Sequence, residues 1–499
     1  MDILSGLALG FGAALTTDNL LLCFAGALVG MLVGVLPGVG PIATMSMLLP
    51  LTFSLEPLGA LIMLSGIYYG AQYGGSTTAI LVNLPGESSS VVTCLDGHPM
   101  ARQGRAGAAL AVAALGSLFA GIVVTLITGL FAPSLAELAL KFGAADMFSL
   151  MVLGLILATV LAAGSLAKAI AMVLLGLALG LVGTDVNSGA IRMSLGLPEL
   201  SEGVPFVCIA VGLFSLAEIA INLENAGSRD VVAGRTGRLW LTRDELIQST
   251  PAVMRGTALG AVLGIIPGGG AMLASFVSYI VEKKLARDPS RFGQGAIEGV
   301  AGPESANNAG AQASFIPLLT LGIPANAVMA VMIGAMQIKG IAPGPQIIGA
   351  QPGLFWGLIA SMLIGNLMLV VINLPLIGVW VSLLRVPYRL LFPAFVLLCA
   401  IGVYSVDSSA FQVGLAALFG IIGYGLRKLE FEPAPLVLGL VLGPMMEENL
   451  RRALIISRGE LTVLVYEPLS AVFLSIALLA ILTIIAPRMR ATRERLREE

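Results

Sequence analysis

Charge is scarce in this sequence. Its 499 residues carry 27 basic and 29 acidic side chains, 11% of the chain, where a soluble globular protein carries about 25%. Residues 1–101 contain no Lys or Arg; Arg102 is the first. His98 is the one histidine, and the four cysteines, Cys23, Cys94, Cys208 and Cys399, form no C-x-x-C pair. A zinc or iron site and a disulfide scaffold are therefore excluded as organising features. A net charge of −2 supplies no basic field for nucleic acid. The sequence has no G-x-x-x-x-G-K-[ST] loop for ATP, no arginine series of a voltage sensor and no TVGYG filter.

What is present is apolar. Hydrophobic residues make up 57%, mean hydropathy is +0.96, and 61 glycines and 26 prolines sit among them. Apolar stretches recur along almost the whole length, which predicts an all-α polytopic membrane protein in a lipid bilayer. The N-terminus lacks the basic region of a cleavable signal peptide, so the first apolar segment is expected to remain.

The chain repeats itself. Gly30–Pro41 reads GMLVGVLPGVGP and Gly260–Ala271 reads GAVLGIIPGGGA. Gly30, Gly34, Pro37, Gly38 and Gly40 match Gly260, Gly264, Pro267, Gly268 and Gly270 at a constant offset. Gly70-Ala71-Gln72 recurs as Gly310-Ala311-Gln312. A second proline break follows each copy, at Leu84-Pro85-Gly86 and Ile323-Pro324-Ala325. An ordered series of this kind argues for duplication, a feature of secondary transporters.

Charge placement orients the copies. The second, over 254–282, has two short apolar arms flanked by Arg255 and by Lys283, Lys284, Arg287 and Arg291, which predicts a re-entrant hairpin entering from the cytoplasm. The first, over 20–54, is flanked by Asp2, Asp18 and Glu56 and is expected to enter from outside. The expected organisation is a first inverted repeat over 1–223, a cytoplasmic basic linker over 224–255, a second repeat over 256–460, a final transmembrane helix over 461–487 and a cytoplasmic tail over 488–499. Eleven crossings plus two hairpins fit, with the N-terminus periplasmic. The segment 447–460 strains this scheme, because Arg451, Arg452 and Arg458 fall outside.

The breaks carry the chemistry. Each leaves backbone groups without helical partners, which lipid tolerates only where protein or a water-filled cavity surrounds them. Two tips meeting near the midplane would aim helix N-termini at an anion and free carbonyls at a cation. The alternative is plain close packing by Gly-x-x-x-Gly; duplication with opposite orientation favours the site. The candidates are backbone groups at Pro37, Gly38, Gly40, Gly75, Pro85, Gly86, Pro267, Gly268, Gly269, Gly270 and Pro324. The side-chain candidates are Ser76, Thr77, Thr78, Asn83, Asn307, Asn308 and Asn326. These neutral groups suit Na⁺ coordination or carboxylate recognition, and some serve interhelical hydrogen bonds instead. No Lys or Arg lies deep in a span, so an anionic substrate would need helix ends, amides and a co-transported cation.

The sequence also resembles the large membrane subunit of the tripartite tricarboxylate transporter family. The resemblance rests on the two Pro-Gly repeats, Tyr73-Gly-Gly-Ser-Thr-Thr-Ala-Ile-Leu81, Asn83-Leu-Pro-Gly-Glu87 and Leu95-Asp-Gly-His-Pro-Met100. It continues through Gly183-Thr-Asp185, Gly212-Leu-Phe214 with Glu218, Gly310 to Pro324, Gly402-Val-Tyr-Ser405, and Pro435 to Pro444 with Glu448. It implies a bacterial inner-membrane importer of carboxylates driven by an ion gradient, and kinship with elevator-type carriers. It implies two partners, a small four-helix membrane subunit and a periplasmic solute-binding protein.

The expected function is secondary active import of a carboxylate with Na⁺ or H⁺ and no other cofactor. The alternative is a channel or ion exchanger acting without a binding protein. An intramembrane enzyme would need paired carboxylates or a Ser/His pair within spans, and the sequence places neither. Asn83→Ala or Asn308→Ala is predicted to abolish uptake while leaving folded protein, as read by transport alongside size-exclusion of the purified variant.

Overall fold

In lipid, helices gain nothing from hiding apolar surface from each other, so close backbone contact between small residues must hold them together. The computed structural model shows where this happens. It describes residues 3–36, 39–161, 165–185, 187–224, 238–268, 270–384, 386 and 388–485. Pro37, Gly38 and Gly269, linker residues 225–237 and tail residues 486–499 lie outside the described residues.

The first half begins with α1 (Ile3–Ala14) and α2 (Thr17–Gly34), a break, and α3 (Pro41–Leu48), extended by the turn Leu49–Thr52. A single long helix, α4 (Pro57–Val82), follows. Gly26, Gly30 and Gly34 form a stripe on α2; a Cβ on them would fall on the carbonyls of Met63, Ile67 and Ala71. Gly66, Gly70 and Gly74 return the contact from α4. Next come α5 (Val91–Met100) and α6 (Ala106–Ala139), joined through a kink at Gly104, whose φ of 78° lies in the left-handed region that glycine tolerates. The half ends with α7 (Ala144–Leu161), α8 (Leu166–Gly180), the two-residue strands β1 (Gly183–Thr184) and β2 (Ile191–Arg192), α9 (Phe206–Ala210), a π-turn over Val211–Leu216, and α10 (Ala217–Glu224).

The second half opens with α11 (Arg243–Leu263) and α12 (Gly270–Leu285). Helix begins within the segment expected as linker and takes in its residues 243–255, because Thr242 and Glu245 form a capping box, with Thr242 N donating to Glu245 Oε2 at 3.0 Å and Glu245 N to Thr242 Oγ1 at 3.2 Å. α13 (Glu298–Ala313) lies against this hairpin and α14 (Phe315–Leu321) against α6, and Gly256, Gly260 and Gly264 approach Gly302, Ala306 and Gly310 as the first stripe approaches α4. α15 (Ala327–Ile338), α16 (Gln346–Ala350), α17 (Pro352–Asn373), α18 (Ile377–Leu384), α19 (Tyr388–Asp407), α20 (Ala410–Lys428), α21 (Ala434–Ile456), α22 (Val463–Tyr466) and α23 (Pro468–Ile485) complete the chain. Among the described residues seven helical segments are long and apolar enough to cross a membrane. The protein is an all-α polytopic membrane protein.

Polar contacts at element ends tie distant segments together. Arg105 bonds Glu245 at 2.9 Å, Gln103 bonds the Gln294 carbonyl, and Lys428 bonds Glu224 at 2.6 Å. Lys168 donates to the Leu429 carbonyl and pairs with Glu430. Elsewhere Lys339 donates to the Phe53 and Leu55 carbonyls. The awkward Arg451 finds a partner too: with Arg192 it forms a cluster around Asp185 and Glu447, at 2.5–2.8 Å for its main pairs. The backbone amide of Asn187, then that of Ser188 and the Arg451 guanidinium, hold the Asp185 carboxyl down at about 2.

The strongest clasp is Asp96. Fully buried on α5, its Oδ1 accepts backbone N–H groups of Gly293, Gly295 and Ala296 at 2.8–2.9 Å, and its Oδ2 accepts the Tyr279 hydroxyl at 3.0 Å. It pins the first half to the entry of α13.

Gly30→Ala and Gly260→Ala are predicted to lower stability by about 1–3 kcal/mol each, since an added methyl must push two backbones apart. Gly414→Ala, with open space at its Cβ, serves as the unaffected control in thermal unfolding of the purified protein.

Candidate functional site

A helix that stops inside a membrane needs its end groups satisfied, and the four breaks solve this for one another. The Val35 carbonyl, at the end of α2, accepts the Thr78 hydroxyl at 2.7 Å. Gly86 approaches Gly75 so closely that a Cβ on Gly86 would strike Gly75 Cα. Gly268, at φ 91°, donates its N–H to the Ala325 carbonyl at 2.8 Å. The end of α2 is thus held by α4, the helix that leads into the first proline break, and Gly268 by the proline break that follows it.

The two proline breaks share a backbone path. Asn83 ends α4 at φ 59°, ψ 30°, and Gly322 ends α14 at φ 71°, ψ 22°. Four residues on, Glu87 (φ −147°, ψ 166°) and Asn326 (φ −153°, ψ 175°) stand at the N-cap of the next helical segment. Asn326 Oδ1 accepts the Met329 N–H at 2.9 Å.

Between the breaks lies a cavity of about 440 Å³. Its wall takes Gly40 and Pro41 from the start of α3, Gly270 and Ala271 from the start of α12, and Pro85 to Ser88 from the turn entering α5. Asn326 and Ala327 come from the start of α15, and Pro433 and Ala434 from the start of α21. Five helical N-termini therefore open onto one space. The positive ends of helices favour an anion there. The charged side chains on the wall are Glu87, Glu218, Arg427 and Glu432, and Arg427 bonds Glu218. Tyr68 and Gln72 complete a polar side.

The predicted site residues divide into two sets. Gly40, Pro85, Gly86, Gly268, Gly270 and Asn326 line the cavity. Gly75 lies directly behind Gly86, and Pro267 and Pro324 sit within the breaks without reaching the wall. Asn83 is exposed, and the other side chains turn into the protein. Ser76 bonds Glu304, Thr77 bonds the Tyr73 carbonyl at 3.0 Å, and Thr78 bonds Val35. Asn307 donates to Glu87 Oε1 at 2.8 Å, and Asn308 donates to Ser117 Oγ at 2.6 Å. These hydroxyls and amides build the wall's support.

Sequence reasoning missed Arg427, Gln72 and Glu304. Gln72 had a signal in the repeated Gly-Ala-Gln triplet. Glu304 had one as the lone acid in the polar run Glu304–Asn308, since an ionisable residue within a span marks function by default. Arg427 had none, because α20 brings it to the cavity only through tertiary packing.

Such broken helices around an internal cavity define a multi-pass membrane protein of the transporter class. The model of the tripartite tricarboxylate transporter TctA family matches residues 20–438. The chain belongs to that family and is a component of a tricarboxylate transporter. It is 57% identical over 495 residues, 99% of both chains, to a protein of Agrobacterium vitis described as an uncharacterized 52.8 kDa protein in the TAR-I ttuC' 3' region. It is 58% identical over 235 residues, 47% of this chain and 97% of the relative, to an uncharacterized protein in the TAR-II ttuC' 3' region of the same organism. No solved structure matches.

The geometry separates two ways of losing Asn83. Its side chain is exposed, and its left-handed backbone favours Asn or Gly. Asn83→Gly is predicted to keep uptake near the parent level while Asn83→Ala loses it, in a transport assay normalised to folded protein.

Proposed function

We propose that this chain is the carrier subunit of a secondary active importer of carboxylates. The convergence of five helical N-termini on one cavity carries this reading, because that arrangement supplies anion recognition where the wall's one guanidinium, Arg427, is already bonded to Glu218. Substrate is delivered by a periplasmic solute-binding protein, and a small four-helix membrane subunit completes the complex, as the tripartite family implies. The setting is the bacterial inner membrane, with the N-terminus periplasmic and the C-terminus cytoplasmic.

The glycine stripes and the shared backbone path at Asn83 and Gly322 support the reading of two related halves, inverted with respect to each other. Their tips then form a mobile unit that moves in the manner of an elevator against the remaining helices. The wall carries three carboxylates and one guanidinium, so a polyanionic substrate enters only with cations. Na⁺ or H⁺ supplies them and couples uptake to the ion gradient.

The test is uptake of a radiolabelled panel (citrate, isocitrate, succinate and malate) into proteoliposomes holding both membrane subunits, with the binding protein added outside. Na⁺ and pH gradients are imposed separately. Uptake is expected under one gradient and only with the binding protein. Persistent uptake without it favours a channel or exchanger and overturns the proposal. Ala271→Trp, which fills the cavity, is expected to lower uptake at least about tenfold without loss of folded protein.

A further inference from the structure

Three carboxylates are buried around α13, and two are equipped for negative charge. Asp96 takes three backbone N–H groups and a phenol, and Glu282 pairs with Arg255 at 2.5 Å. Glu304, 1% exposed in the middle of α13, is equipped differently. Its Oε2 lies 2.6 Å from Ser76 Oγ, and Thr93 Oγ1 donates to its Oε1. It takes part in none of the ion pairs among the described residues. A carboxylate so enclosed, with two hydroxyls and no cation, is costly.

Counting hydrogens resolves the cost. Ser76 has one hydroxyl hydrogen and two acceptor neighbours, Glu304 Oε2 and the Gln72 carbonyl at 3.1 Å. If Oε2 carries a proton, Glu304 donates to Ser76, Ser76 to Gln72, and Thr93 to Oε1. Each contact then has its own hydrogen. Beside the carboxyl is a space of about 10 Å³ bordered by Ser76, Thr77, Ser117 and Asn373, about the size that admits one water.

The surroundings add no competing cation. Glu87, at the entry to α5, is the charged group that acts on Glu304, and Tyr73 on α4 and Cys94 on α5 are neutral groups within reach of its charge. Asp96 with Tyr279, and Arg255 with Glu282, lie on the helices packed against α13 but are engaged with each other. Ser117 on α6 bonds the carbonyl of Glu304 itself.

We propose that Glu304 is the proton-binding group of the carrier, a site that rests on the reading of this chain as an ion-coupled importer. Its position links proton and substrate. Ser76 lies one turn beyond Gln72, which lines the cavity, and Asn307, one turn along α13, holds the cavity's Glu87. Glu304 also joins the second half, through α13, to α4 and α5 of the first. Loss of its proton leaves a charge with only two hydroxyl donors, so the ionised form favours a conformation in which water reaches it.

The test uses proteoliposomes of the complete complex, free of Na⁺, with a pH-sensitive dye inside and the panel member transported fastest. Carboxylate uptake by the parent protein is expected to acidify the lumen. Glu304→Gln is expected to lose pH-driven accumulation at least about tenfold while retaining carboxylate counterflow. Thr93→Val is expected to shift the pH midpoint of uptake and the infrared band of a protonated carboxyl, a readout that does not depend on Glu304→Gln folding. Full pH-driven accumulation by Glu304→Gln overturns the proposal. So does uptake by the parent protein under a Na⁺ gradient alone with no acidification. Absence of counterflow in the parent protein overturns the importer reading as well, which distinguishes the two failures.

Discussion

An unpaired backbone N–H or C=O cannot be left facing lipid, and the rest of this structure depends on that constraint. The chain interrupts its helices four times within its core, and each interruption must be enclosed. The enclosure is mutual. A hydroxyl on α4 satisfies the end of α2, the Ala325 carbonyl satisfies Gly268, and the glycines flanking the breaks let backbones meet. Enclosing four breaks at one place leaves a cavity onto which helical N-termini open. The site is thus a consequence of how the breaks are buried.

The same economy governs charge. Buried acids are handled in three ways. Asp96 and Asp146 accept backbone N–H groups, Glu282 and Asp185 are paired with arginines, and Glu304 is left with hydroxyls alone. The first two arrangements fasten elements together. The third has no structural gain that would repay burying an ion, which separates Glu304 from acids that only hold the fold. Glu87 lies between these extremes, bonded by Asn307 and facing the cavity.

Much of this was legible along the chain. Low charge and recurrent apolar stretches announced a polytopic helical protein, and the two Pro-Gly motifs marked two of the helix breaks. The proline breaks after them located Pro85, Gly86 and Asn326, all of which line the cavity. Side-chain roles were less legible. Ser76, Thr77, Thr78, Asn307 and Asn308 were singled out for polarity, but their hydroxyls and amides point to Glu304, Tyr73, Val35, Glu87 and Ser117. A linear pattern shows that a polar group lies in a span. It does not show whether that group turns toward the cavity or toward a neighbouring helix.

The sequence by itself determined the solvent, the class of secondary structure and the places where helices break. Those properties follow from composition, charge spacing and the local geometry of Gly and Pro. Only the tertiary structure decided which broken ends share a space, that Arg427 reaches it from α20, and that Arg451 is neutralised by Asp185. It alone leaves Glu304 without a cation. These are relations between residues hundreds of positions apart, set by which helix faces touch, and no local pattern encodes them.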